Sequence, residues 1–135
     1  QFLLYRTYHG SAMSVHNQHV SAAAWSDEAH VVANRTEYRK KYDAVLKVMS
    51  KHWPQSQPAG GFYLWPETPI DDLRFTQQLL KQQNVKVVPG QYLARDTPQG
   101  NPGQNRVRLA LVATLGECVE AAERIVSFIA AGKFE

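Results

Sequence analysis

The stretch Arg106-Val107-Arg108-Leu109-Ala110-Leu111-Val112, followed after Ala113 by Thr114-Leu115-Gly116-Glu117, decides how this chain of 135 residues is read. In extended backbone Val107, Leu109 and Leu111 share one face, and Arg106, Arg108, Ala110 and Val112 share the other. A strand with one apolar side is therefore predicted from Val107 to Val112. The next four residues have the spacing of a capping box, in which a threonine and a glutamate three positions later satisfy each other's free N–H groups at a helix start. Cys118, Ala122, Ile125 and Ile129 then recur as an inner stripe, so the last helix runs up to Gly132.

Working outward, two further strands are predicted, Gly61 to Trp65 and Val85 to Val88, each short, β-branched or aromatic, and bounded by Pro or Gly. Helices are predicted between and before them. One starts at Ser14 or Asn17 and passes through Ala22-Ala23-Ala24-Trp25. A longer one starts near Asp27, carries the apolar stripe Tyr38, Tyr42, Val45 and Met49, and is stopped by Pro54. Its polar face offers the i, i+4 pairs Glu37 to Lys41 and Asp43 to Lys47. A third starts at Asp71 or Asp72, where an acid suits the positive end of the helix dipole, and buries Leu73, Leu79 and Leu80 before ending near Asn84. Thr97 to Asn105 is the long polar loop. Strands alternating with helices imply α/β architecture in two layers, a short sheet covered by helices on one side. We find no repeats, and read residues 1–135 as one domain.

Composition is that of a globular chain, with 44% hydrophobic and 20% charged residues. No apolar run approaches the roughly 20 residues needed to cross a bilayer, and no membrane partner is expected. A single cysteine, Cys118, fits a reducing, cytoplasmic setting. The net charge of +3 is spread among acids along the helices, the pattern of a solvated face, so no nucleic-acid partner is expected.

Among residues that carry chemistry, Arg108 stands out. Followed on its own face by Ala110 and Val112, it is partly committed to an apolar surface, and a half-buried guanidinium needs an anionic partner. Spacing alone allows a structural ion pair or a solvent-facing residue, and does not separate Arg108 from Arg106. The paired glycines Gly60-Gly61 before Phe62 read as a turn with unusual dihedral angles. His16 and His19 lie one helical turn apart without a third ligand, so no metal site is expected. Cys118 reads as a small apolar residue on an inner helix face. Asn34-Arg35-Thr36 is a formal glycosylation sequon on a helix, and Ser50-Lys51 sits at a helix end.

In order and separation, Gly60-Gly61-Phe62-Tyr63-Leu64-Trp65, Val85-Lys86-Val87-Val88-Pro89-Gly90 and Asn105 through Leu111 resemble the carboxy-terminal small domain of class I/II aminotransferases, the fold-type I enzymes that use pyridoxal phosphate. The resemblance implies that Arg108, on the strand before the final helix, forks onto the α-carboxylate of the amino- or keto-acid substrate. It implies that Gly61 and Phe62 line the pocket and that Pro89-Gly90 ends its strand beside the mouth. It makes Tyr8 and Ser11 candidate contacts across a homodimer, and Arg95, with Tyr5 and Arg6, a candidate contact for the distal end of the substrate.

The chain opens on Gln1 and runs straight into Phe2-Leu3-Leu4-Tyr5, so we expect the interior of a longer sequence. The cofactor-bearing lysine is expected upstream, no catalytic residue is assigned in this chain, and Ser50-Lys51 is rejected for that role. The chain alone is expected to be inactive and to hold no pyridoxal phosphate. Tyr5-Arg6-Thr7-Tyr8-His9-Gly10, Tyr92-Leu93-Ala94-Arg95 and Asn101-Pro102-Gly103 are further similar to the N-succinyldiaminopimelate aminotransferases of bacterial lysine biosynthesis. That branch exchanges an amino group between glutamate and a succinylated keto acid. The alternatives are a class I/II aminotransferase acting on another amino acid, a stand-alone α/β binding module using a basic, aromatic sheet face on RNA, and a degenerate small domain kept for dimerisation.

Overall fold

A computed structural model describes residues 1–10 and 12–134. The chain resolves into two compact units, residues 1–35 and 36–135. The first holds helix α1 (Phe2–Tyr8), helix α2 (Val15–Ser26) and the start of helix α3 (Ala29–Met49). Ser14 caps α2 by accepting from Asn17 N at 3.4 Å, and Asp27 Oδ1 accepts from Ala29 N at 3.1 Å where α3 begins. Helix α1 was not predicted; its first turns close on Thr7 Oγ1 donating to Leu3 O and on Tyr5 stacked against His9 with ring centroids 4.3 Å apart. Neither α1 nor α2 buries a residue, and Phe2, Leu3, Tyr8, Val20 and Trp25 are all exposed.

The second unit contains the rest of α3, strand β1 (Tyr63–Leu64), helix α4 (Asp72–Gln83), strand β2 (Val88–Pro89), a short 3-10 turn (Gly90–Leu93), strand β3 (Val107–Ala110) and helix α5 (Leu115–Ala131). The three strands form an antiparallel sheet in the order β1-β3-β2, so β3 is central. Tyr63 pairs with Ala110 and Leu64 with Leu109 on one side, and Val88 with Arg108 and Pro89 with Val107 on the other. The alternation read from the sequence holds: Val107, Leu109 and Leu111 are buried, whereas Ala110 and Val112 are exposed. Leu64, Val87 and these three meet Tyr42, Val45 and Met49 of α3, Phe75 and Leu79 of α4, and Cys118, Ala122, Ile125 and Phe128 of α5 in one core. This is the expected two-layer arrangement.

Four expectations on the helices need correction. The buried face of α4 is Asp72, Phe75 and Leu79; Leu73 is half-buried and Leu80 is exposed. Phe75 takes the central place because it packs edge-on against Phe128 at 5.5 Å and tilted against Trp53 at 5.7 Å, filling volume that a leucine would leave open. In α5 the stripe ends on Phe128 rather than Ile129, which is half-buried. On α3, Lys41 leaves Glu37 to Lys40 and donates to Leu111 O at 3.0 Å, while Lys40 meets Glu37 at 2.6 Å. Helix α3 also ends at Met49, before Pro54. The strands are shorter than predicted, two, two and four residues, and β2 is displaced as well: Val85 to Val87 are not in the sheet, and the strand pairs only at Val88 and Pro89.

The cap of α5 is complete. Thr114 Oγ1 accepts from Glu117 N at 3.4 Å, and Glu117 Oε2 accepts from Thr114 N at 2.9 Å and from its hydroxyl at 2.7 Å. These bonds hold the Glu117 carboxyl below its ordinary pKa. Thr114→Ala is expected to cost about 1 kcal/mol of stability, read as a lower urea midpoint. Because the folded pKa is depressed, the part contributed by Glu117 is present above the ordinary carboxyl range and disappears as the pH falls through the lowered value. The midpoint difference between the parent and Glu117→Gln should therefore shrink on acidification. A difference that stays constant from neutral to acid pH would remove Glu117 from the cap.

Candidate active-site strand

Arg106 and Arg108 are equivalent in spacing, and the fold separates them. Arg106 Nη1 donates to Trp65 O at 3.2 Å, and Nη2 forms an ion pair with Glu67, its cross-strand neighbour. Its charge is paired and both terminal nitrogens are engaged. Arg108 lies two residues further along β3, half-buried on the face away from the core, flanked in register by Val88 of β2. The pairings of Leu64 with Leu109 and Glu67 with Arg106 place Trp65 opposite it on the other side. Its Nε is buried and has no hydrogen-bond partner, and no ion pair engages Arg108 among the described residues. A buried guanidinium N–H left unpaired costs on the order of 1–3 kcal/mol or more, so such a group in a folded chain calls for an anion.

The neighbouring loops are built for close approach. Gly61 has φ +93°, a conformation that a side chain rarely adopts, which brings the chain into β1. Phe62 O accepts from Leu111 N at 2.9 Å, while the Phe62 ring is 42% exposed and packs edge-on against Tyr63 at 5.5 Å. Phe62 is thus a surface aromatic, whereas Leu64 two residues on is buried. After Pro89, Gly90 N donates to Arg106 O at 2.7 Å. A Cβ at Gly90 would stand 2.2 Å from Gly103 O, so only glycine fits that crossing.

The remaining candidates are placed as follows. Tyr8 is 80% exposed in the unit of residues 1–35, and Ser11 lies outside the described residues. Arg95 is exposed after the 3-10 turn. Among the described residues no group of three metal-binding side chains gathers around His16 and His19 or elsewhere, and no helix is long and apolar enough to cross a membrane. Burial pushes the Cys118 thiol up, which disfavours the thiolate and agrees with a packing role. Burial likewise raises the Tyr42 hydroxyl, which donates to Tyr63 O at 3.3 Å. Lys41 is half-buried on Leu111 O and the other six lysines are exposed, so none is buried beside Arg108 as a cofactor anchor requires. A groove of about 440 Å³ opens between α3, α5 and the chain before β2, lined by Val45, Met49, Val87, Leu109, Cys118 and Ile125 among others. It does not include Gly61, Phe62 or Arg108. The floor of this groove is the hydrophobic core itself.

One residue escaped the sequence reading. Asp72 is fully buried and accepts three hydrogen bonds, from Gln91 N at 3.0 Å, Gln91 Nε2 at 2.8 Å and Asn105 N at 3.1 Å. The signal was the doubled acid at the helix start. Asp71 alone caps α4, accepting from Arg74 N at 3.0 Å, which frees Asp72 to turn inward.

Comparison with known proteins agrees with this strand-and-helix frame. An aminotransferase from Neisseria meningitidis superposes with a TM-score of 0.82 at 50% identity, over 95% of this chain and 33% of that one. A probable N-succinyldiaminopimelate aminotransferase from Thermus thermophilus superposes at 0.63 with 28% identity, over 78% of this chain and 27% of the other. Transaminase BacF of Bacillus subtilis is 28% identical over 113 residues, 80% of this chain and 27% of its own length. The chain thus spans about a quarter to a third of the proteins it matches. The family described as aminotransferase class I and II matches residues 4–125, and the chain belongs to that family.

Proposed function

We propose that residues 1–135 are the carboxy-terminal small-domain part of a pyridoxal-phosphate-dependent aminotransferase, in which Arg108 holds the substrate α-carboxylate. The observation that carries this reading is the buried, unpartnered Nε of Arg108 on the central strand, beside an Arg106 that is already neutralised. A guanidinium presents parallel donors to both carboxylate oxygens, giving orientation as well as charge. Fixing that group sets the position of the substrate Cα before any bond changes. The lysines of this chain do not fit as the cofactor's anchor, so the cofactor and its lysine belong to the remainder of the polypeptide. Pyridoxal phosphate, when bound there, supplies the electron sink for amino-group exchange. Gly61 and Phe62 serve as wall, and the enzyme works as a cytoplasmic homodimer with Tyr8 and Ser11 as contacts across it.

For the substrate we favour N-succinyl-diaminopimelate with 2-oxoglutarate as acceptor, in lysine biosynthesis. The support is the similarity of Tyr5 through Gly10, Tyr92 through Arg95 and Asn101 through Gly103 to that branch, and the likeness to the Thermus protein so described. Both substrates of a transaminase share the α-carboxylate, so choice between them rests on donors for the distal end. Tyr5, Arg6, Tyr8 and Arg95 are exposed donors of the required kind. Steady-state rates of the full-length enzyme across succinylated, aromatic, branched-chain and acidic amino acids test this. The succinylated substrate is expected to lead. A preference for phenylalanine or tyrosine would remove the pathway assignment and leave the role of Arg108 standing.

A further inference from the structure

A fully buried carboxylate with no cation beside it is expensive unless its oxygens are filled by donors. The donors that fill Asp72 are not spread at random. Gln91 follows the Pro89-Gly90 turn that ends β2, and Asn105 immediately precedes Arg106 and β3. Asp72 is thus the common acceptor of the two segments that flank the paired strands, and within that pairing Val88 stands opposite Arg108. Asn105 itself has φ +57°, a left-handed conformation that a non-glycine residue keeps only when its surroundings hold it. Two bonds do so: its N–H donates to Asp72, and its carbonyl accepts from Thr68 N at 2.8 Å.

We propose that Asp72 is a positioning residue for Arg108, fixing the start of β3 against the end of β2 so that the guanidinium sits where a substrate carboxylate arrives; this rests on the reading of Arg108 given above. Asp72 is not needed as a helix cap, since Asp71 fills that role. Replacing it by asparagine keeps the shape but sets an NH2 group against an N–H donor at one oxygen. Depending on which way the amide turns, that donor is the Gln91 N–H or the Asn105 N–H, so one of the two ties is lost and the start of β3 is no longer fixed against the end of β2. A displacement of about 1 Å can cost on the order of 10²-fold in an enzyme site, and a smaller shift costs less.

The test uses the full-length enzyme as parent, Asp72→Asn, Arg108→Ala and the double variant. Two quantities are measured besides the melting temperature: the Kd for 2-oxoglutarate by calorimetry without an amino donor, and KM and kcat for donor and acceptor. Asp72→Asn is expected to raise the Kd and both KM values about tenfold with a smaller change in kcat, a split that general loosening of the fold would not give. In the Arg108→Ala background it should add no further loss, because residues acting through one contact are not additive. Unchanged Kd in Asp72→Asn, or the same loss with and without Arg108, would overturn the proposal while Arg108→Ala alone still weakens binding. An Arg108→Ala variant that binds normally sinks the underlying reading instead, and the Asp72 proposal with it. If Asp72→Asn does not fold, Gln91→Ala, which removes one donor and keeps the carboxylate, must raise the same Kd; no rise overturns the proposal.

Discussion

Arg108→Ala in the full-length enzyme is expected to leave the cofactor bound and to weaken use of both amino donor and keto acceptor by roughly 2–5 kcal/mol in kcat/KM, the range for removing one partner of a buried charge pair. At about 1.4 kcal/mol per tenfold this is some 30-fold to a few thousandfold. The loss should be alike for the two substrates because the α-carboxylate is what they share. Arg108→Lys should fall between, since the charge survives but the planar fork does not. Arg106→Ala is the control within the strand: it removes the Glu67 ion pair and the bond to Trp65 O, so its effect belongs to stability rather than to carboxylate binding. Unchanged specificity constants for both substrates in Arg108→Ala would reject the assignment, and a loss confined to Arg106→Ala would transfer it to that residue.

Phe75→Ala is expected to destabilise the chain by roughly 3–5 kcal/mol, the usual cost of truncating a buried phenylalanine. Phe75 is 0% exposed and touches the rings of both Trp53 and Phe128, so its loss opens a void at the meeting point of three segments distant in sequence. Against a typical total of about 5–15 kcal/mol this is a large fraction, and urea unfolding should show a midpoint lowered by more than 1 M at ordinary slopes. Tyr92→Ala, at an exposed ring, should leave the midpoint in place. A Phe75→Ala midpoint equal to the parent's would mean that the core is not organised around this residue.

Periodicity and capping chemistry are local, and what they govern was legible in the sequence. Thr114 with Glu117, Asp71, Ser14 and the left-handed ends at Asn84 and Gly132 fall where the residue types demand. The alternation along β3 also held, because one face of a central strand must meet the core. What failed depended on partners far along the chain. Leu80 and Phe75 both suit a helix face, and only Phe128 and Trp53 decide between them. Lys41 prefers Leu111 O, 70 residues away, to the acid one turn before it. The same limit applies to the candidate site. Arg106 and Arg108 are indistinguishable by spacing, and Glu67, which bridges to Arg106 three residues past β1, separates them. Phe62 has a core residue's composition and a surface residue's place, since the turn at Gly61 sets which side its ring takes. Asp72 was hidden because a doubled acid at a helix start has an ordinary explanation that one of the two already satisfies.

The solitary thiol of Cys118 lends itself to a use unrelated to transamination. It lies on the inner face of α5, 6% exposed, with its pKa raised by burial and its sulfur against Ala113 O. A maleimide at neutral pH therefore reacts more slowly with it than with an exposed thiol, and faster whenever α5 lifts from the sheet. With one cysteine in the sequence, all labelling reports on this one position. The chain thus carries an intrinsic timer for the detachment of its last helix, readable by mass alone and without introducing a reporter.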